Sequence, residues 1–173
     1  MADSRTLYLV RHAKSSWDDA GLSDHDRPLA PRGLRAVKKL AAHVREAGIV
    51  PELVLCSTAA RTRATIDPLR KALGDPAIRY LPELYAAWDD ALLDMVRKVE
   101  PETRSLLLVG HNPGLQSLAV RLAGSGDGDL RTRLEEKLPT GALVTLTFRA
   151  ESWAAVGPGS GKLTGYVVPR ELR

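Results

Sequence analysis

The sequence has very little cysteine and few aromatic residues. Among its 173 residues there are one cysteine and one phenylalanine, and aromatic residues make up 5% of the chain. A single cysteine excludes an internal disulfide framework. Cys56 stands in the apolar run LVLCS, where a free thiol packs as a small hydrophobic group.

The sequence also lacks long hydrophobic runs and a targeting pattern. No apolar stretch approaches the roughly 18 to 20 residues that a membrane span needs. The N-terminal MADSRTLYLV has no basic-then-apolar signal region. These absences predict a cytoplasmic protein without membrane association.

Metal and nucleic-acid motifs are missing too. There is no HExxH, no cysteine-rich ligand set and no Walker-type glycine loop, so we expect no metal and no cofactor. The net charge is +4 and the pI about 9.4, but the Lys and Arg residues are spread along the chain, without a dense basic run interleaved with aromatics. The composition therefore disfavours nucleic acid as a partner and remains compatible with anionic substrates.

Apolar strand-like runs alternate with amphipathic helix-like segments through most of the chain. This alternation predicts an α/β fold with three layers (α/β/α), in which helices cover both faces of a mainly parallel central sheet. The late runs GALVTLTF, SWAAV and LTGYVVP follow one another closely, and they predict an antiparallel component at one side. GSGDGD is predicted to be a flexible loop, and Asp67-Pro68 to break the second helix. The length fits one domain, residues 1–173.

Chemically active side chains follow three of the predicted strands. Arg11 and His12 follow the first strand, Ser57 and Thr58 the second, and the run Gly110-His111-Asn112 the fourth. Ligands bind beyond the carboxyl ends of strands in open α/β sheets. Although a single histidine at a strand end is usually structural, three such ends together predict a functional site.

Arg61 strengthens this prediction because it falls in the first turn of the second helix. A cation there opposes the helix dipole at a cost of roughly 0.3 to 1 kcal/mol, which a bound anion would offset. Arginine also offers a planar fork that suits phosphate oxygens. The charged loop SDHDRPLAPRG, which includes Asp24 and Arg27, lies close in sequence to the first strand. Arg27 could serve as a further phosphate clamp.

With these residues assembled, the chain resembles the histidine phosphatase superfamily and, more narrowly, the SixA-like phosphohistidine phosphatases. The matching motifs are LYLVRHAKSSW, SDHDRPLAPRG, VLCSTAARTRATID, LPELY, LLLVGHNPGL and KLPTGALVTL. The resemblance implies the histidine phosphatase (phosphoglycerate mutase-like) fold without a large cap domain. It implies that His12 is the nucleophile and that Arg11, Arg61 and His111 bind the phosphoryl group, while Arg27 and Asp24 line the same pocket. Ser15 and Asn112, beside the two histidines, are further candidates for substrate binding.

The sequence does not identify the general acid. No acidic residue follows the third strand in the pattern typical of mutases and acid phosphatases, which leaves Asp24 as the first candidate and Glu83 as the second. Glu83 is also a candidate for substrate binding or for a structural role. Ala13 stands where the wider superfamily has glycine, and Ala30 predicts a weak cap on the first helix.

The predicted function is that of a phosphatase that forms a covalent phosphohistidine on His12 and removes phosphate from phosphohistidine on a protein. The alternatives are a small-molecule phosphomonoesterase acting on a sugar or nucleotide phosphate, and a non-catalytic phosphate-binding scaffold. The partner is accordingly a phosphorylated protein or a small phosphorylated substrate. The sequence does not indicate an oligomeric state.

Overall fold

A seven-stranded mixed sheet forms the centre of the protein. The structure is a computed structural model that describes residues 3–173. The strands, in chain order, are β1 Ser4–Arg11, β2 Leu53–Ser57, β3 Ala77–Leu81, β4 Ser105–Gly110, β5 Ala123–Gly126, β6 Leu143–Arg149 and β7 Gly161–Val167. Their order across the sheet is β3-β2-β4-β1-β6-β7-β5.

Between residues 3 and 173, five α-helices cover the two faces of this sheet. They are α1 Pro31–Ala47, α2 Ala60–Leu69, α3 Asp89–Arg97, α4 Gly114–Leu122 and α5 Leu130–Glu136. One buried cluster joins the sheet to α1 and α2, and a second joins it to α3, α4 and α5. The three-layer architecture predicted from the alternating pattern is thereby confirmed. Within residues 3–173, no helix has the length and apolar character that crossing a membrane requires.

The strand directions place the predicted strand ends at one edge. β1, β2, β3 and β4 run parallel to one another, whereas β6 is antiparallel to both β1 and β7. The carboxyl ends of β1, β2 and β4 therefore open onto the same edge of the sheet. The antiparallel component predicted from the late strands is also present.

Local predictions were wrong at two places in the C-terminal third. The segment SWAAV is not a strand: Trp153–Ala155 forms one turn of 3-10 helix, in which the Trp153 side chain is fully buried and its indole N–H donates to the Thr103 carbonyl. Part of the predicted loop GSGDGD belongs to β5, which pairs parallel to β7. β5 is glycine-rich and lies at the sheet edge, so its sequence has no alternation of apolar and polar residues. It forms a strand because the fold places it beside β7. The predicted break at Pro68 falls one residue before the end of α2.

Gly33 brings the start of α1 against the segment that follows β1. A Cβ atom at this position would lie 2.2 Å from the carbonyl oxygen of Lys14. The same carbonyl accepts a hydrogen bond from the backbone N–H of Ala30, at 2.9 Å. Ala30 makes no side-chain cap, as expected, so the close approach of the two backbones fixes the beginning of the helix.

Candidate active site

Three strand ends bring His12, His111 and Arg61 together. His12 directly follows β1, His111 directly follows β4, and Arg61 lies in the first turn of α2, which follows β2. The ring centroids of the two histidines are 5.3 Å apart. Arg61 and His12 are both buried, with 8% and 7% of their surface exposed. The fold therefore brings these three side chains together, as the sequence predicted.

Backbone hydrogen bonds hold the His12 ring in one orientation. The His12 N–H donates to the Gly110 carbonyl at 3.1 Å, and ring nitrogen Nδ1 lies 2.8 Å from the Ala13 carbonyl. Because a carbonyl oxygen only accepts hydrogen bonds, Nδ1 must carry the hydrogen. The neutral ring then keeps its lone pair on Nε2, which is the nitrogen available for nucleophilic attack.

Thr65 ties the segment after β1 to helix α2. Its hydroxyl accepts a hydrogen bond from the Ala13 N–H at 3.0 Å and donates to the Arg61 carbonyl at 2.7 Å. The segment that carries His12 and the helix turn that carries Arg61 are thus joined through one buried side chain. Sequence reasoning missed Thr65, because nothing in the helical pattern distinguishes it from other threonines.

Both histidines of the site are held neutral. Burial is the main cause that lowers the pKa of His12 to about 4; the hydrogen bond to Ala13 acts in the opposite direction, and the nearby arginines lower it further. Burial also lowers the pKa of His111 to about 3, assisted by His12 and Arg61. A neutral imidazole at physiological pH is the form that attacks phosphorus.

We expect the depressed pKa of His12 to make the protein less stable in mild acid. Since the folded-state pKa lies below the ordinary 6.5, the unfolded chain takes up the proton first as the pH falls. The stabilisation present above pH 6.5 is therefore lost between about pH 6.5 and 4, by on the order of 3 kcal/mol for His12. Urea unfolding at pH 7 and at pH 4.5 measures this loss, and a His12→Asn variant should show a smaller one. A His12 ring signal that titrates near 6.5 by NMR would contradict the assignment.

Asp24 is the centre of a polar network on the open side of the site. Its carboxylate accepts hydrogen bonds from Arg27 Nη1 at 2.7 Å, from Arg61 Nη2 at 3.1 Å and from the Tyr85 hydroxyl, and its backbone carbonyl accepts from Arg61 Nη1 at 2.7 Å. The Tyr85 hydrogen bond is the largest of the contacts that lower the pKa of Asp24 to about 2. At neutral pH Asp24 is thus a carboxylate that orients two arginines, which weighs against its expected role as general acid.

Tyr85 belongs to the site, whereas the Glu83 side chain makes no hydrogen bond to it. The Tyr85 ring stands edge-on to His111 and to His25, with centroid distances of 5.5 and 4.8 Å, and its hydrogen bond to Asp24 raises its pKa. Glu83 is exposed, and its carboxylate forms no hydrogen bond or ion pair with any residue from 3 to 173. The one-turn helix Pro82–Leu84 is followed by Tyr85, whose hydroxyl donates to Asp24, so these contacts support a role for the tyrosine of LPELY and do not support the predicted role of its glutamate.

Arg27 and Ser15 form a second contact on the same side. The buried Arg27 donates from Nη2 to the Ser15 hydroxyl and from Nε to the Ser16 carbonyl at 3.1 Å. The exposed ring of Trp17 covers the guanidinium, whose central carbon is 3.3 Å from the ring centroid. Ser15 therefore helps to position Arg27, and the Nη1 group of this arginine faces Asp24.

Asn112 and Arg11 both bind the segment before β6. Asn112 Nδ2 and Arg11 Nη1 donate to the Leu138 carbonyl at 3.0 and 2.9 Å. The Asn112 side-chain oxygen accepts from the Gln116 N–H at 3.2 Å. Both ends of the Asn112 amide are thus used within the protein, so these contacts assign it to holding the start of α4 and do not support the predicted substrate contact.

Unpaired polar atoms concentrate at this site. In the part of the chain that the structure describes, the buried polar side-chain atoms without a hydrogen-bond partner are Arg5 Nε, Arg11 Nε and His111 Nδ1. The other ring nitrogen of His111 lies 2.8 Å from the Ser57 hydroxyl. Buried polar atoms without a partner are rare, and two of these three belong to residues at this strand edge, Arg11 and His111. Neutral histidines beside several guanidinium groups suit the binding of a phosphoryl dianion.

Comparisons with known proteins agree with this chemistry. The model of the histidine phosphatase superfamily (branch 1) matches residues 7–87. An uncharacterized protein of Mycobacterium tuberculosis is 40% identical over 163 residues, which cover 93% of this chain and 100% of that protein.

Solved structures extend the similarity to nearly the whole chain. A protein from Agrobacterium tumefaciens that has been assigned as phosphohistidine phosphatase SixA is 30% identical, with a TM-score of 0.81; the match covers 95% of this chain and 98% of that one. A mycobacterial glucosyl-3-phosphoglycerate phosphatase shares the fold at 16% identity, with a TM-score of 0.63 and coverage of 92% and 97%. The same fold therefore occurs in enzymes with different kinds of phosphorylated substrate.

Proposed function

The chain belongs to the histidine phosphatase superfamily and is a phosphatase, and we propose that it acts through a covalent phosphohistidine on His12, with phosphohistidine on a protein as its preferred substrate. The observation that carries the proposal is the orientation of the buried His12 ring. Its Nδ1–H donates to the Ala13 carbonyl, and this leaves Nε2 as a neutral nucleophile beside His111 and Arg61.

In the proposed reaction, Nε2 of His12 attacks the phosphorus atom while the bond to the leaving group breaks. Arg11, Arg27 and Arg61 neutralise the charge that spreads over the phosphoryl oxygens. Water then attacks the phosphohistidine, and inorganic phosphate and free His12 are released. To bind the phosphoryl group, Arg27 and Arg61 must break some of their hydrogen bonds to Asp24 and donate to the phosphoryl oxygens instead.

The state of the two acidic candidates supports the choice of substrate. Asp24 is ionised at neutral pH, and the exposed Glu83 carboxylate makes no hydrogen bond to a residue of the site. Neither residue therefore offers a ready proton to a leaving group. A protonated phosphohistidine leaves as a neutral imidazole and demands less of an acid than an alkoxide does. The site is accordingly better suited to phosphohistidine than to an unactivated phosphate ester.

Exposed aromatic rings support a protein as the carrier of that phosphohistidine. Trp17 is 70% exposed and lies directly on Arg27, and Trp88, just before α3, is 65% exposed. Large exposed aromatic side chains are enriched where proteins meet proteins. A ring stacked on a site arginine would meet the surface of a docked phosphoprotein.

Turnover of a phosphohistidine protein is expected to exceed turnover of a panel of sugar and nucleotide phosphomonoesters. In addition, Trp17→Ala should lower kcat/KM for the phosphoprotein about tenfold and change kcat/KM for a small ester much less, since the lost contact is with the protein carrier. Steady-state kinetics on both substrate types measures this, with Val50→Ala as a control at another exposed apolar residue (61% exposed). If only small esters are turned over, the enzyme is a phosphomonoesterase and the substrate proposal is wrong.

A further inference from the structure

A second, strongly cationic cavity lies beside the candidate active site. It has a volume of about 580 Å³, is partly open to solvent, and is lined by the first half of α1, the segment before β6 and the segment that follows β7. The cationic residues that line it are Arg11, Lys14, Arg32, Arg35, Lys39, Lys137 and Arg170. The remaining lining residues are small, apolar or hydroxyl-bearing, and none is acidic: Ala36, Pro139, Thr140, Val168 and Pro169.

The cations of this cavity are not neutralised by the protein. None of them takes part in an ion pair within residues 3–173. Several arginines elsewhere on the surface are paired with carboxylates, for example Arg79 with Glu100 at 3.1 Å and Arg133 with Glu171 at 2.7 Å. Unpaired like charges around one cavity repel each other, and a bound polyanion would remove that repulsion.

Helix α1 carries cationic side chains near its N-terminus, where the helix dipole disfavours positive charge. Arg32, Arg35 and Lys39 recur at spacings of three and four residues, so they form one stripe that faces the cavity. The first turn of α1 contains no acidic residue, and Ala30 provides no side-chain cap. Cations near a helix N-terminus are unfavourable unless an anion is bound there. An anion bound in the cavity would therefore also offset this cost at the start of α1.

The cavity differs from the site around His12. Arg11 lines the cavity and adjoins His12 in the chain, whereas His12, Arg61, His111 and Asp24 are not among the lining residues. Arg11 is therefore shared by the cavity and the proposed phosphoryl site, and its half-buried guanidinium donates to the Leu138 carbonyl at 2.9 Å.

We propose that this cavity binds the phosphate chain, or the several phosphate groups, of a small polyphosphorylated molecule. Its volume falls within the roughly 300–1,000 Å³ typical of small-molecule pockets. Arginine forks bind phosphate oxygens in pairs, and lysines add point charges. No aromatic side chain lines the cavity, so it lacks the stacking platform that single-stranded nucleic acid uses. The proposal depends on the shape and charge of the cavity and not on the reaction at His12.

Inorganic tripolyphosphate is the probe that tests this site, with calorimetric titration of the full chain as the measurement. We expect tripolyphosphate to bind more tightly than orthophosphate, and the Arg35→Gln/Lys39→Gln variant to bind it at least about tenfold more weakly. The matched control is Lys38→Gln/Arg45→Gln, which removes the same charges from exposed positions of the same helix that do not line the cavity. That control should change the affinity much less, and the unfolding temperatures of both variants verify that they fold.

The Arg61→Gln variant distinguishes the two sites, because Arg61 belongs to the site around His12 and does not line the cavity; tripolyphosphate should bind this variant about as tightly as the wild type. Loss of tripolyphosphate binding in Arg61→Gln would place the ligand at His12 and overturn the proposal. An equal loss of affinity in the two double variants would also overturn it, since the effect would then be one of net charge. A hexaglutamate peptide that binds as tightly as tripolyphosphate would show that the ligand class is wrong.

Discussion

Replacing His12 by alanine is expected to abolish the phosphoenzyme and to lower kcat/KM by on the order of 10⁴-fold or more, the scale on which enzymes lose activity when their nucleophile is removed. The Nε2 lone pair is the nucleophile in the proposed reaction, and the arginines alone cannot form the covalent intermediate. Incubation with a labelled phosphodonor, followed by quenching, measures the acid-labile label on the protein. Steady-state turnover of the same donor measures the loss of catalysis.

His43→Ala provides the matched control for this experiment. His43 is a half-buried histidine in α1, with no place in the polar network around Asp24. We expect this variant to retain both label and turnover. A wild-type enzyme that takes up no more label than His12→Ala would disprove the covalent mechanism. Retained turnover in His12→Ala would disprove it equally, and unlabelled, inactive wild-type protein would favour the phosphate-binding scaffold.

Replacing Arg61 by lysine is expected to lower kcat/KM by roughly 10²- to 10³-fold, although the positive charge is kept. The Arg61 guanidinium binds the backbone carbonyl and the carboxylate of Asp24 at the same time. A lysine ammonium has no planar fork, so it cannot hold both contacts or offer two parallel N–H groups to a phosphoryl group. The kcat/KM measured by steady-state kinetics and the affinity for tungstate, a phosphate mimic, should both decrease.

Arg63→Lys is the control for this substitution, because Arg63 is an exposed arginine of the same helix, two residues away. It donates to the Thr58 carbonyl and stacks on Tyr80, and it makes no hydrogen bond to Asp24. Its replacement should leave kcat/KM within a few-fold of wild type, as is usual for exposed positions. If Arg61→Lys behaved like Arg63→Lys, the guanidinium of Arg61 would not be needed for phosphoryl binding.

The parts of the site that could be predicted lie at strand ends. Arg11, His12 and His111 follow β1 and β4 directly, so hydrophobic periodicity and the rule for parallel sheets suffice to bring them to one edge. Arg61 was found because a cation in a first helical turn is locally unfavourable. In each case the charged or imidazole side chain and the strand or helix pattern that positions it lie within a few residues of each other in the sequence.

The parts that could not be predicted depend on distant partners. The pKa of Asp24 is set mainly by Tyr85, which is 61 residues away, and the position of Ala13 is fixed by Thr65, 52 residues away. No local pattern encodes such pairs, and the glutamate in LPELY was the more obvious candidate by residue type. The strand β5 escaped prediction for the same reason, because its hydrogen-bonding partner β7 comes much later in the chain.

The position of β1 in the sheet has a consequence for how the enzyme loses activity. β1 is the fourth of seven strands, and hydrogen bonds to β4 and β6 flank it along most of its length. Amide hydrogens in such a strand exchange with deuterated solvent mainly through complete unfolding, whereas edge strands open locally. His12 is therefore attached to one of the last segments to open. Heat inactivation should follow the global unfolding transition, without an earlier phase in which a folded molecule has lost its nucleophile.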